Sequence, residues 1–307
     1  MLFPRFLNPS ARVDVLAPGP IVSVTNPGRT GLTIDWEVRR TNTSSADTGM
    51  VRIYNLGRSY RRTLQQAQAL VSAFNYIVTL SIGWDGLLFE AMRGSLAKLR
   101  AEVRESPSGV VSVLEFGDGV MSQRGAVPAQ TPLVLADGFW LAAFRAIAAT
   151  FPGVLGLAPS FAGVLATSPF AAQFPNFGAV LNNNPAEDLD TLVSSLGPSY
   201  DWGIQDGLIV LYNAGLVSDQ SPPQVLSPES GLISWEIQDD GSVIAQALAN
   251  PTIRPGQQLQ VLGIDPDHGP APTLIGGGPL YVESQTLSGS TAGESTMSVI
   301  ARKIELF

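Results

Sequence analysis

Alternating apolar and polar residues in the first and last thirds of the chain restrict the fold more than any other feature of the sequence. In residues 31–40 (GLTIDWEVRR), every second residue from Leu32 to Val38 is apolar, and the residues between them are polar. A period of two is typical of a half-buried antiparallel strand. The pattern returns in four further segments, at residues 50–56, 75–84, 257–264 and 294–306. Both ends of the chain are therefore predicted to be β-sheet.

The middle of the chain has helical spacing instead. In residues 137–151 (DGFWLAAFRAIAATF), the large residues Trp140, Phe144 and Ile147 recur at the interval of a helix, and Asp137 is predicted to cap it. Residues 158–181, rich in proline and phenylalanine, are interpreted as an irregular, extended loop.

A second helix is predicted in residues 183–197 (NNPAEDLDTLVSSLG). Asn184 is predicted to cap it, Pro185 to occupy its first position and Gly197 to end it, with Glu187 completing a capping box. A β-hairpin turning at Asp206-Gly207 is expected to follow, as another is at Asp85-Gly86.

These patterns predict a mainly β protein with an α+β insert. The chain has 307 residues, 45% of them hydrophobic, enough for two or three domains with apolar cores. The predicted divisions are an N-terminal β domain at residues 1–122, an α/β insert at 123–224 and a C-terminal β domain at 225–307.

The sequence offers little material for catalysis. It contains no cysteine, and its one histidine, His268, lies in the proline-rich segment GIDPDHGPAP beside Asp265 and Asp267. A solvated loop is the favoured interpretation of that segment over a metal site or a hydrolase triad. The triplet at residues 276–278 lacks the lysine of a phosphate loop and is interpreted as a turn. We therefore expect no catalytic residue, no cofactor and no metal.

Acidic side chains are most simply explained by local structure. Asp239-Asp240-Gly241 is typical of a hairpin turn, and Glu187 of helix capping. A glycosidase remains open at this point, because its two carboxylates can lie far apart in the sequence. No membrane anchor is expected, since the most apolar run, at residues 139–157, is interrupted by Arg145 and Pro152. The first residues also lack the apolar centre of a signal peptide.

Charge is divided unequally along the chain. Residues 1–150 carry 15 Lys or Arg and 11 Asp or Glu, whereas residues 151–307 carry 3 and 15. No basic residue lies between Arg145 and Arg254, where ten are acidic. Two interpretations stay open: an acidic surface that maintains solubility, or an oriented surface that lines a passage while a basic face near Arg58, Arg61 and Arg62 meets a partner. Nucleic-acid binding is less favoured, because the first half is only weakly basic.

Several segments form a recognisable series along the chain. They are VRIYNLGRSYRR at residues 51–62, the strand pair at 89–119 with Gly94 and Asp118-Gly119, the helix and hairpin at 188–212, the corner ANPTIRPG at 249–256 and the strand GPLYVESQTL at 278–287. Each motif is weakly specific, but together they cover most of the chain in order. In this order they resemble the phage baseplate hub proteins of contractile-tailed phages. Relatives often have a histidine and Gly-Asp near the last hairpin, where this chain has Leu287, Ser288 and Gly289.

The resemblance implies two tail-tube-like β-barrel domains and a homotrimeric ring that joins a six-fold tail tube to a three-fold central spike. The implied partners are the tail tube protein or a distal tube initiator, the central spike protein, and baseplate wedge or tape measure proteins. DNA would pass through the channel without specific binding, and the protein would reside in the virion tail baseplate after assembly in the host cytoplasm. The Pro255-Gly256 corner would fix the angle between two barrel strands.

Two other functions are weighed against this one. A β-rich virion protein could bind or cleave host surface glycan, and a host periplasmic or secreted β-protein would share the composition. The missing signal peptide weakens the second of these.

Overall fold

A mainly β architecture is present in the computed structural model. It describes residues 8–17, 19–26, 32–42, 47–70, 76–106, 109–118, 133–151, 154–173, 176–181, 185–213, 222–264 and 272–304. The predicted fold class, mainly β with a small α/β insert, is confirmed.

In the residues that the structure describes, the first third forms seven strands and one helix. The strands are β1 (Pro9–Ala17), β2 (Gly19–Asn26), β3 (Ile34–Thr41), β4 (Thr48–Tyr54), β5 (Ile77–Trp84), β6 (Leu87–Ser106) and β7 (Gly109–Gly117). Helix α1 (Arg58–Leu70) connects β4 to β5 and packs on β6. Its inward residues Leu64 and Ala67 are three positions apart, as one face of a helix requires, and both are buried.

The middle third, which we call the insert (residues 133–213), contains four helices and five short strands. In chain order these are β8 (Leu133–Phe139), α2 (Trp140–Ala148), β9 (Gly156–Leu157), α3 (Phe161–Leu165), α4 (Pro169–Gln173), β10 (Asn176–Leu181), α5 (Pro185–Leu196), β11 (Tyr200–Gln205) and β12 (Leu208–Asn213). Strand β8 pairs with β10, while β11, β12 and β9 form a small second sheet.

The last third returns to strands. They are β13 (Gln224–Leu226), β14 (Leu232–Ile237), β15 (Val243–Leu248), β16 (Gln258–Ile264), β17 (Pro272–Leu274), β18 (Leu280–Ser290) and β19 (Ser295–Lys303), with short 3-10 turns at Pro228–Ser230 and Ile275–Gly277.

One sheet joins the two ends of the chain. Strand β18 pairs antiparallel with β3, so the fourteen strands outside the insert are hydrogen-bonded into one sheet, which we call the main sheet. Beyond the end of β18, Thr291 extends the contact: its N–H donates to the Ile34 carbonyl, and its Oγ1 accepts from the Ile34 N–H, each at 3.0 Å. Residues more than 250 positions apart therefore contribute to one structure.

The apolar residues form two separate cores. The larger core lies under the main sheet and includes residues from both ends of the chain, among them Val38 and Leu287. The smaller core lies within the insert, where the rings of Phe144 and Phe161 meet edge to face with centroids 4.9 Å apart. The insert therefore has an apolar core of its own.

Two predictions about the insert are wrong. Asp137 does not cap a helix, because it lies in β8, whose neighbouring residue Gly138 pairs with Phe177 of β10; the helix begins at Trp140. Residues 158–181 are not an extended loop, because they form α3, α4 and β10. The short helix α3 is held by burial of its apolar side chains in the insert core, a tertiary effect that the proline-rich sequence conceals.

Other predicted features are confirmed. Trp140, Phe144 and Ile147 are buried on one face of α2, and α5 begins at Pro185 and ends before Gly197. Both hairpins turn through left-handed residues, with φ of 49° at Asp85 and 52° at Asp206, each followed by a glycine that also has positive φ. Asn184, the predicted cap of α5, lies outside the described residues.

Candidate functional site

The tip of the β11–β12 hairpin reaches out of the insert to the main sheet. The Gly207 N–H donates to both carboxylate oxygens of Asp118, at 3.2 Å each. The neighbouring Asp206 carboxylate forms an ion pair with Arg254 and lies 3.9 Å from Nη2 of Arg40. One two-residue turn of the insert is therefore held by three side chains of the main sheet.

Arg254 is presented by the corner between β15 and β16. Pro255 and Gly256, with φ of 83° at the glycine, occupy the middle of a type II turn closed by the Gln257 N–H donating to the Arg254 carbonyl at 3.3 Å. The side chain of Gln257 accepts in return from the Arg254 N–H at 3.0 Å. The turn fixes the backbone from which the guanidinium projects.

The corner is itself fastened to β18. The Gly256 N–H donates to the Val282 carbonyl at 2.8 Å, and Nε2 of Gln285 donates to the Asn250 carbonyl at 3.1 Å. The Asn250 side chain accepts from both the N–H and the hydroxyl of Thr252. The asparagine and proline of this segment thus form a rigid support for Arg254.

Arg40 and Asp47 come from the other half of the main sheet. Arg40 lies on the inward face of β3, two positions beyond Val38, and only 3% of it is exposed. Asp47, just before β4, accepts from the Thr41 N–H at 2.9 Å, and its carbonyl accepts from the Asp118 N–H at 3.0 Å. A β3–β4 turn and the end of β7 therefore bring two carboxylates to one buried arginine.

Burial controls the ionisation of this cluster. It raises the pKa of Asp47 to about 7, against the opposing effect of Arg40. Burial and, to a smaller extent, the nearby Asp47 together raise the pKa of Asp118 to about 8. Burial also lowers the pKa of Arg40, and with Arg40 it lowers that of Arg254 to about 10. The raised carboxyl pKa values mean that the cluster retains protons near neutral pH.

The chemistry of the cluster is that of a structural joint. Asp118, Asp206 and Arg254 form the hydrogen bonds and the ion pair that connect the insert to the main sheet, whereas Nη1 of Arg40 is buried without a hydrogen-bond partner in the described part of the chain. Among the described residues, no group of three or more acidic or histidine side chains is placed to hold a metal ion. In the same part of the chain, no helix is long and apolar enough to cross a membrane.

Asp265, Asp267 and His268 lie outside the described residues. Gly276 and Gly277 form the predicted turn, with φ of 81° and 70°.

The acidic residues of the hairpin and helix have local partners. Asp240 accepts from the N–H and hydroxyl of Ser242, which lowers its pKa, and it pairs with Arg302 at 3.3 Å. On α5, Asp190 accepts from the indole N–H of Trp202 at 2.7 Å.

Arg58, Arg61 and Arg62 lie together in the first turns of α1, next to Tyr60, which is 46% exposed. Arg40, Asp47, Asp118 and Arg254 were not identified from the sequence. Two features of the sequence could have pointed to the two arginines. Arg40 continues the alternation of inward-facing residues in β3, and Arg254 stands directly before Pro-Gly.

No protein-family model matches the sequence, and no curated protein matches it. Solved structures do match the fold. A tail protein from Neisseria meningitidis MC58 is 11% identical and superposes over 95% of this chain and 96% of its own length, with a TM-score of 0.55. The 43 kDa tail protein of prophage MuSo2 from Shewanella oneidensis is 9% identical over the same shares, with a TM-score of 0.54.

A third similar structure belongs to a secretion system. The Escherichia coli c3393 protein is described as a component of the type VI secretion system with structural similarity to the T4 bacteriophage tail proteins gp27 and gp5. It is 9% identical to this chain and matches 90% of it and 74% of its own length, with a TM-score of 0.50. The fold of this chain is therefore the one found in phage tail proteins and in a related secretion component.

Proposed function

We propose that the protein is a structural component of a phage tail, and specifically the baseplate hub. In this role three copies form a ring around an axial channel and join the six-fold tail tube to the three-fold central spike. Residues 1–122 and 225–307 would supply two tube-like barrels per copy, giving six similar units on one side and three-fold symmetry on the other.

The observation that carries the proposal is the near-complete correspondence with two tail proteins. In both, about 95% of each chain is matched, so the similarity includes the insert as well as the sheet. A likeness restricted to a generic β-sandwich would leave the insert unmatched. The c3393 protein, described by its similarity to gp27 and gp5, supports the narrower assignment to the centre of the tail.

The proposed partners are those of a hub. They are the tail tube protein or a distal tube initiator, the central spike protein, and wedge or tape measure proteins, with DNA passing through the channel without specific contacts. We propose no enzymatic activity, and none of the three similar structures is described as an enzyme. Residence in the virion, after assembly in the host cytoplasm, belongs to the same proposal.

The charge distribution gives the channel hypothesis a narrower form. The Asp206 carboxylate forms ion pairs with Arg254 and Arg40, and Asp188 is buried. Neither residue is therefore expected to line a passage. The exposed members of the acidic set are Glu187, Asp190, Glu229, Glu236, Asp239 and Asp240. We propose that some of these face the channel, because walls without Lys or Arg do not hold phosphate, while the basic end of α1 faces a neighbouring protein.

An electron-microscopy reconstruction of the particle tests the proposal. We expect three copies of the chain in a closed ring at the end of the tail tube, with a continuous axial opening. One copy per particle, or a location at the tip of a fibre, would contradict the hub assignment. Light scattering of the purified protein is expected to give three times the monomer mass, although ring closure can depend on the partners.

A further inference from the structure

The insert and the main sheet are two bodies with separate apolar cores. Within the described residues, none of the apolar side chains buried in the insert core belongs to the core of the main sheet. In the same residues no helix or strand of the insert packs extensively against a strand of the main sheet. Burial of apolar surface between the bodies therefore contributes little to holding them together, and polar contacts at the hairpin tip carry the connection.

A cleft beside the tip leaves room for movement. It has a volume of about 280 Å³ and is lined by residues of both bodies, among them Ser160 and Leu208 from the insert and Pro255 from the corner. Closely packed interfaces exclude spaces of this size. The hairpin tip is thus held by polar contacts on one side, while the surface next to it borders this open cleft.

Acidic groups outnumber basic groups around the hairpin tip. Asp206 on the hairpin, Asp118 after β7 and Asp47 before β4 supply three carboxyl groups, whereas Arg40 and Arg254 supply two guanidinium groups. Glu90 on β6 also acts electrostatically on both arginines. On the insert side, Tyr212 is buried, faces Asp47, Asp118 and Asp201, and has its pKa raised by burial. A buried cluster with surplus negative charge is stabilised by binding a proton.

We propose that Asp206-Gly207, Asp118, Asp47, Arg40 and Arg254 form a proton-linked latch that holds the folded insert on the main sheet and releases it as a unit. In the closed state a proton is retained on the Asp47–Asp118 pair, and Asp118 accepts the Gly207 N–H. Loss of that proton places two adjacent negative charges in a buried site, so the closed state weakens as the pH rises. The raised pKa values of both carboxyl groups agree with this direction.

Hydrogen exchange of the full chain at pH 7 tests the latch. In the Asp206→Asn variant we expect the Gly207 amide to exchange about tenfold faster or more, because loss of the Asp206 ion pair with Arg254 releases the hairpin tip and so opens the hydrogen bond from Gly207 to Asp118. Amides of α2 and α5 should keep their protection, since the insert core is untouched. The matched control Glu187→Gln removes an exposed insert carboxylate and should leave the Gly207 exchange unchanged. A second pair of variants is Arg254→Gln and Arg39→Gln. Only Arg254→Gln is expected to increase the exchange rate of the Gly207 amide.

A second experiment measures the exchange at different pH values and uses Asp118→Asn. The asparagine mimics the protonated carboxyl group, and its side-chain oxygen can still accept the hydrogen bond from the Gly207 N–H. Between pH 6 and pH 9 the protection factor of Gly207, corrected for intrinsic exchange, should fall in the natural protein and fall less steeply in the variant, where Asp47 still titrates but Asp118 does not. Unchanged exchange in Asp206→Asn would overturn the latch. Loss of protection throughout the insert would also overturn it, because the tip would then be part of the insert fold. A flat pH profile in the natural protein would overturn the proton linkage. None of these outcomes depends on the hub assignment.

Discussion

Single residues determine the direction of the chain where they allow a backbone conformation that most other residues avoid. Asn55 ends β4 with a φ of 54°, and its N–H donates to the Val110 carbonyl at 2.9 Å, so the chain leaves the sheet at a fixed angle. Asparagine tolerates this left-handed conformation better than most residues. Leu56 is then directed into the main core, where it is 2% exposed. Leu56 is therefore part of the core of the main sheet.

Replacing Leu56 by alanine is expected to reduce the free energy of unfolding by about 2–5 kcal/mol, because it leaves a cavity in a closely packed core. Urea denaturation followed by tryptophan fluorescence measures the change. The control is Leu87→Ala, which removes the same atoms from a side chain that is 71% exposed. We expect the control to remain within about 0.5 kcal/mol of the natural protein. Equal effects in the two variants would argue against a structural role for this turn.

Among the elements, β6 has the most demanding position. Its first half pairs with β5 and its second half with β7, so the strand passes from one neighbour to the other near Ser95. At Gly94 a Cβ would lie 2.6 Å from the backbone of Gly117. Only glycine permits this approach of two backbones. The close contact also positions Asp118 for the joint with the insert.

The Gly94→Ala substitution is therefore expected to destabilise the protein by about 1–3 kcal/mol, since backbone atoms must move to accommodate the methyl group. Gly293→Ala is the control, because a Cβ there would be 3.7 Å from its nearest neighbour, Ser290. Thermal unfolding by calorimetry compares the two variants. A Gly94→Ala protein as stable as its control would show that the crossing point is not tightly packed.

At the scale of the whole molecule, the connection between its two cores depends on protonation. Asp47 and Asp118 have raised pKa values in the folded protein, whereas in the unfolded chain both titrate near pH 4. The folded state therefore binds more protons between these values. The contribution of these two carboxyl groups to the free energy of unfolding is fully present below about pH 4 and is lost as the pH rises through about 7 and 8.

Urea denaturation between pH 5 and pH 8.5 measures this dependence. We expect the free energy of unfolding to fall with pH by up to about 1.4 kcal/mol per pH unit for each carboxyl group. The Asp118→Asn variant should show a shallower slope, since one of the two groups no longer titrates. A free energy of unfolding that stays constant over this range would mean that both carboxylates are already ionised in the folded protein.

Much of the architecture could be predicted from the sequence because its causes are local. The alternation around Ile34 and Val51 requires strands with one buried face, and the Asp-Gly pairs at residues 85–86 and 206–207 require tight hairpin turns. The helical spacing of Trp140, Phe144 and Ile147 likewise determines α2. Each of these signals depends on residues only a few positions apart, so a single segment contains all the necessary information.

Tertiary structure decided the rest. The pairing of β18 with β3 joins residues far apart in the sequence, and no local pattern specifies which two strands become neighbours. For the same reason the acidic middle of the chain is not uncompensated, because folding brings Arg254 and Arg40 to Asp206. Helix α3 forms because its apolar side chains are buried in a core made by other segments, while α4 packs against that core through the partly buried Ala171. The candidate site depends entirely on such contacts. Its four sheet residues come from β3, from positions next to β4 and β7, and from the corner between β15 and β16, and only their burial together gives them altered ionisation.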